Sequence, residues 1–298
     1  MYDRAVPDPP VRPPRSETRE VTELRAIKAR HPELAGAVDM HIELLELQRR
    51  IQGRVPLPPL ELDANIMQRH QLEGRPLLRF EHIPLDLTDL RLMVRQTADV
   101  LHRFDALDAS EFQLAHALGR GNQLLEVAGR WYRRAAERAA AATGAAVIGV
   151  PAGADSEPEI VGHVLALAMR PFLFRCAEVL QRRPELSAWT HAHCALCGGE
   201  PDLATLDTQG DRHLVCGRCL LQWRFDPVTC PFCLNSDRAR ITSFGTSDGL
   251  YRVNGCDACH RYVKAFDTRR ANRPLMPVVD GVAMLPLDAA AMQRGYAS

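Results

Sequence analysis

Residues 194–219, CALCGGEPDLATLDTQGDRHLVCGRC, and residues 230–259, CPFCLNSDRARITSFGTSDGLYRVNGCDAC, carry eight of the nine cysteines of this 298-residue chain. The eight fall into four Cys-x-x-Cys pairs, Cys194/Cys197, Cys216/Cys219, Cys230/Cys233 and Cys256/Cys259, separated by gaps of 18, 10 and 22 residues. A Cys-x-x-Cys turn aims two sulfurs at one ion, and a second such turn across a short hairpin completes a tetrahedron of soft ligands. Sequential pairing therefore predicts one metal ion held by Cys194, Cys197, Cys216 and Cys219 and another by Cys230, Cys233, Cys256 and Cys259. Interleaved pairing stays open, although the gap of 10 suits a linker better than a hairpin arm. Tetrahedral sulfur accommodates zinc and, as in rubredoxin, iron, so two metal ions, iron or zinc, are expected.

A closed set of four thiolates leaves no position for a substrate water, which argues against metal-assisted hydrolysis. The plainest role for such ions is to staple a region too small to have its own core. A thioredoxin-like use of one pair would need a βαβ context, which this region lacks. No Gly-x-Gly-x-x-Gly follows a strand pattern, and no phosphate loop or Ser/His/Asp order stands out, so no enzyme active site is expected. Cys176, between Phe174 and Ala177 in an apolar helical pattern, reads as a buried small hydrophobe. His191, His193, His213 and His260 flank the pairs and read as hydrogen-bonded or solvated residues, because all eight thiols are already present. Trp223, Tyr251 and Tyr262 read as local core covering the metal sites.

Charge weighs against nucleic acid. The chain has 37 basic and 37 acidic residues, and ten Lys or Arg stand against nine Asp or Glu between His191 and Arg270. Only scattered arginines, such as Arg212, Arg218, Arg252, Arg269 and Arg270, are available for phosphate. A zinc-ribbon nucleic-acid-binding protein is thus the alternative reading. The N-terminus has no apolar export core, and the longest weakly polar stretch, near Ala139 to Ala154, is broken by Gly144, Gly149 and Pro151. A soluble, cytoplasmic protein without a membrane span is expected, in a compartment where clustered cysteines serve as metal ligands sooner than as disulfides.

Upstream, the period is helical. Val21, Leu24 and Ile27 share one face; Met40, Leu44, Leu47 and Ile51 share another beyond Pro32. Gly53 to Pro84 reads as irregular with a short helix near Ile66. Further helices are expected around Leu90, Val94, Leu101 and Phe104, and from Asn122 to Thr143, ending at Gly144. A last one starts at a capping box over Ser156 to Glu159, carries Ile160, Val164, Leu167 and Phe174, is kinked at Pro171 and ends before Pro184. After Trp189, short segments such as Arg212–Val215 and Leu221–Phe225 read as ribbon strands, and Leu285 to Arg294 returns to helix.

The fold class is therefore α+β: an all-α N-terminal helical domain followed by two small rubredoxin-like or zinc-ribbon metal-binding modules. The expected division is a flexible Pro-rich tail (1–20), a helical domain (21–186), a first module (187–226), a second module (227–272) and a C-terminal segment with a short helix (273–298).

From Cys194 to Lys264 the chain resembles the FdhE family of formate dehydrogenase accessory proteins. The likeness rests on the four pairs behind a helical half, on His213-Leu214-Val215-Cys216, and on Leu221-Gln222-Trp223, where the family has Glu-Trp. It extends to Cys256-Asp257-Ala258-Cys259 followed by Tyr262-Val263-Lys264, to Arg170-Pro171-Phe172-Leu173, and to Asp280 through Asp288, which resembles the family's acidic tail motif. The resemblance implies a non-catalytic cytoplasmic assembly factor or chaperone. Its implied partner is the catalytic subunit of a molybdenum or tungsten formate dehydrogenase, bound during maturation, with homodimerisation left open.

Overall fold

The computed structural model describes residues 17–58, 63–142 and 158–297. The helical half opens with α1 (Arg19–Arg30), whose Val21, Leu24 and Ile27 are buried, and α2 (Ala35–Gln52), entered through a single 3₁₀ turn at Pro32–Leu34. Helix α3 (Ala64–Glu73) is capped by Asp63, whose carboxylate accepts the Ile66 amide, and is closed by Gly74 at φ 62°. Helix α4 (Leu87–Arg103) buries Leu90, Val94 and Leu101, the expected stripe. Helix α6 (Leu124–Ala142) follows; the expected stop at Gly144 and the capping box at Ser156 lie outside the described residues, as does most of the expected tail over Met1–Glu20.

Between α4 and α6 the chain forms α5 (Ala109–Arg120), which the apolar period did not reveal. Its start is nevertheless written in the chain. The Asp108 carboxylate accepts the Ser110 and Glu111 amides, and Glu111 accepts the Asp108 amide, so four residues settle the first turn locally.

Helix α7 (Glu159–Gln181) is the spine of the molecule and holds Pro171 within its span. Val164, Leu165, Ala168, Met169, Phe172, Leu173, Cys176 and Leu180 are all buried in one cluster with residues of α2, α4 and α6. Among the described residues α7 alone is long and apolar enough to cross a membrane, and 56% of its apolar window is buried inside the protein. Its composition is that of a helix packed on several sides.

The C-terminal strands are β1 (Pro201–Leu206), β2 (Arg212–Cys216), β3 (Gln222–Phe225), β4 (Ile241–Gly245), β5 (Tyr251–Cys256) and β6 (Arg261–Asp267). Each cysteine-rich module contributes a three-stranded antiparallel set, and the two sets join into one six-stranded sheet in the order β3-β2-β1-β6-β5-β4. The seam is parallel: Leu203 stands opposite Lys264 and Leu206 opposite Asp267. Helices α8 (Pro277–Ala283) and α9 (Leu285–Gln293) then fold back. Met276, Val279 and Val282 pack with Leu24, Ile27, Val38 and Leu45, while Ala291 packs with Val253, Tyr262 and Tyr296. The C-terminus thereby fastens the sheet to the first two helices.

Candidate metal centres

Each Cys-x-x-Cys segment builds the same turn. The amide four residues after the first cysteine returns to that cysteine's carbonyl: Gly198 to Cys194 at 2.9 Å, Leu220 to Cys216 at 3.1 Å, Leu234 to Cys230 at 3.0 Å and His260 to Cys256 at 2.8 Å. That fourth residue is always left-handed, with φ of 69°, 62°, 61° and 56°. Glycine adopts this conformation freely, whereas Leu220, Leu234 and His260 hold it against their Cβ atoms, the kind of local cost that accompanies functional turns.

The four turns meet in sequential pairs. Cys194, Cys197, Cys216 and Cys219 gather at one point, and Cys230, Cys233, Cys256 and Cys259 at another, with the sulfurs of each set within 4.8 Å of one another. The Cys194–Cys219 and Cys197–Cys216 separations are both 3.5 Å; Cys230–Cys259 is 3.8 Å and Cys233–Cys256 is 3.6 Å. A disulfide would need about 2 Å. A tetrahedron with metal–sulfur bonds of about 2.3 Å has edges of about 3.8 Å, so the spacing fits an ion at the centre of each set.

The electrostatics favour thiolates at defined atoms. Burial alone would raise the Cys216 thiol, but hydrogen bonds from Cys194, Cys197 and Cys219 and from the Cys219 amide bring it well below the usual range. In the second set burial likewise opposes ionisation of Cys256, and the amides of Ala258 and Cys259 with the Cys233 and Cys230 thiols outweigh it, lowering that thiol.

Around the first set the helical half supplies the walls. The Leu77 and Leu78 amides donate to the Ala195 and Leu196 carbonyls at 2.9 Å each, and Tyr132 donates to the Leu78 carbonyl at 2.9 Å. Arg170 donates to the Gly217 carbonyl at 3.0 Å. These contacts join residues far apart in sequence, and only the Arg170 segment carried a signal before the fold was seen.

The flanking histidines are engaged elsewhere. His193 Nε2 donates to the Gly74 carbonyl at 3.0 Å, and burial pushes its pKa down to about 4. His191 Nε2 donates to the Gln71 carbonyl at 2.7 Å. His213 Nδ1 lies 4.0 Å from Asp207, and His260 is exposed on its turn. Trp223 is buried and donates to the His191 carbonyl at 3.0 Å, as local core of the first module. The Tyr251 and Tyr262 hydroxyls turn to the C-terminal helices, on Asp280 at 2.8 Å and Asp288 at 2.7 Å. Lys264 also reaches Asp288, at 3.2 Å. Cys176 is fully buried in α7, as expected.

Of the arginines weighed for phosphate contact, Arg212 and Arg218 are engaged inside the protein, Arg252 and Arg269 pair with one carboxylate while 42% and 43% exposed, and Arg270 is exposed. Arg212 is 4% exposed and bonded to the Asp226 and Thr229 carbonyls; Arg218 lies over Trp131; Arg252 and Arg269 both reach Asp267.

No family model matches the chain. Among curated proteins it is 30% identical over 150 residues to a Shewanella oneidensis protein named Protein FdhE homolog, covering 45% of this chain and 49% of that one. It is 27% identical over 133 residues to the Aquifex aeolicus Protein FdhE homolog (43% and 46% covered). It is also 31% identical over 108 residues to Escherichia coli K12 Protein FdhE (35% of each). The matched stretch thus spans less than half of each of these relatives. Among solved structures, the FdhE protein from Pseudomonas aeruginosa superposes with a TM-score of 0.57 at 18% identity, covering 94% of this chain and 92% of that one, which establishes a shared fold.

Proposed function

From the premise that this chain belongs to the FdhE family, we propose that it is a cytoplasmic, non-catalytic accessory protein that binds the catalytic subunit of formate dehydrogenase during maturation. In this reading Cys194, Cys197, Cys216 and Cys219 hold one metal ion and Cys230, Cys233, Cys256 and Cys259 hold a second, each iron or zinc. The observation that carries it is the convergence of all eight thiols into two tetrads, with no further His, Cys, Asp or Glu donor grouped with either among the described residues. Such an ion cross-links its module and, as iron, can exchange one electron without an open coordination position.

The residues of the chain do the binding. The helical domain, assigned to residues 21–186, supplies the contact groove; the first module, assigned to 187–226, reaches it through Leu220, while the second, assigned to 227–272, does not line it. A cavity of about 450 Å³ between α2, α7 and the first module supports this; Arg49, Arg170, Arg175, Phe174 and the knuckle residue Leu220 line it. Cys194→Ser and Cys256→Ser variants, assayed by metal content and by co-purification with the immature catalytic subunit, should lose metal and partner together. Full partner binding by a folded, metal-free variant would overturn the proposal.

A further inference from the structure

The two sulfur tetrads share one local geometry but sit in very different surroundings. Cys194, Cys197, Cys216 and Cys219 are all fully buried and belong to the same apolar cluster as α4 and α7. That tetrad is sealed by the Leu77 and Leu78 backbone bonds, by Arg218 on Trp131, and at Gly198, where an added Cβ would lie 2.8 Å from the Pro76 side chain and 3.0 Å from the Ala136 backbone.

The second tetrad lies outside that cluster. Cys230 and Cys256 are buried, but Cys233 is exposed and Cys259 half-buried. The residue after Cys233, Leu234, is 52% exposed, and His260 after Cys259 is exposed. On another side, a cleft of about 230 Å³ reaches Cys230 and Cys256, between Pro227–Phe232 and the faces of β4, β5 and β6. Solvent therefore approaches this tetrad at the Cys233 edge and through the cleft.

We propose that the two sites differ in kind: the first is a fixed cross-link of the fold, and the second exchanges its ion with external soft donors through Cys233. This rests on the reading that both tetrads bind metal. Exchange is ligand substitution without electron transfer. An incoming thiolate or chelating nitrogen forms a bond to the ion, the bond to the Cys233 sulfur breaks, and that sulfur takes a proton from water. Cys233 leaves first because it is the exposed sulfur; the sulfurs of the first tetrad cannot be reached until the core opens, and core opening has a much higher free-energy cost than motion at an exposed turn.

The test uses the full-length protein loaded with zinc and challenged with the colorimetric chelator 4-(2-pyridylazo)resorcinol. Two ions bound per chain are expected, one released at least ~10-fold faster than the other. Iodoacetamide added during the fast phase should label Cys233 and Cys259 while the first tetrad stays unlabelled, with the helical circular dichroism unchanged. A Cys233→Ser variant should lose the fast phase and keep the slow one. Release of both ions in one phase, or early labelling of Cys194, Cys197, Cys216 or Cys219, would overturn the division of roles. A chain that binds no zinc at all would instead overturn the metal-binding reading on which it rests.

Discussion

The Arg218 guanidinium carbon lies 3.9 Å from the centroid of the Trp131 ring. Arg218 sits inside the Cys216–Cys219 knuckle and Trp131 on α6, so this contact pins the first metal module to the helical half. The expected coupling is about 0.5–2 kcal/mol, since the pair is partly desolvated. Chemical denaturation of Arg218→Ala, Trp131→Ala and the double variant would measure it, and a coupling near zero would show that the pair is incidental packing.

Asp280 is fully buried and accepts two bonds from Arg273, at 2.7 and 3.0 Å, besides those of Tyr251 and the Met276 amide. It is therefore a tie between α8 and the sheet. Removing the carboxylate takes from the Arg273 guanidinium, whose side chain is only 11% exposed, its two shortest charged contacts. Asp280→Ala should lower stability by about 3–5 kcal/mol in urea titration. Arg273 would keep only its 3.8 Å contact with Glu23 in that variant, so an Asp280→Ala/Arg273→Met double variant should recover part of the loss.

Burial raises the Cys176 thiol to about 12, with the neighbouring Cys197 adding to the shift. At pH 8 the native protein should leave Cys176 unlabelled by iodoacetamide, and unfolded protein should label it fully. The unfolded thiol ionises near 9.0 and the folded one near 12, so this group contributes nothing to pH dependence below pH 9 and lowers stability as pH rises from 9 toward 12. Cys176→Ala should flatten that alkaline decline.

Gly198 is the one knuckle residue of its kind whose Cβ would collide with the helical half, at 2.8 Å from the Pro76 side chain and 3.0 Å from the Ala136 backbone, and its φ is 69°. Gly198→Ala should cost about 1–3 kcal/mol. Gly36→Ala in α2, where nothing lies within 4 Å of the added Cβ, should stabilise by about 0.5–1 kcal/mol. Melting curves of the two variants should move in opposite directions.

Local chemistry was readable from the chain and non-local pairing was not. The stripes of Val21, Leu24 and Ile27 and of Leu90, Val94 and Leu101 sit where the helical period put them, as do the strands at Arg212 and Gln222. The tetrads gathered as the gaps suggested, because each turn closes within five residues. Helix α5 escaped because its buried residues, Ala115 and Gly119, are too small to mark a stripe, although Asp108 and Glu111 announced its start. Strand β1 and the parallel seam with β6 depend on residues about sixty positions apart, Leu203 with Lys264, and no local pattern records that register. The partners of Tyr251 and Tyr262 escaped for the same reason.

The metal content of the full-length chain, purified without oxygen, is to be measured by elemental analysis together with its visible spectrum. Two ions of iron or zinc per chain are expected, falling to one in Cys256→Ser, with a ferric tetrathiolate colour if the metal is iron and none if it is zinc. A folded chain that carries no tightly bound metal, or that keeps both ions when Cys256 is replaced, would contradict that expectation.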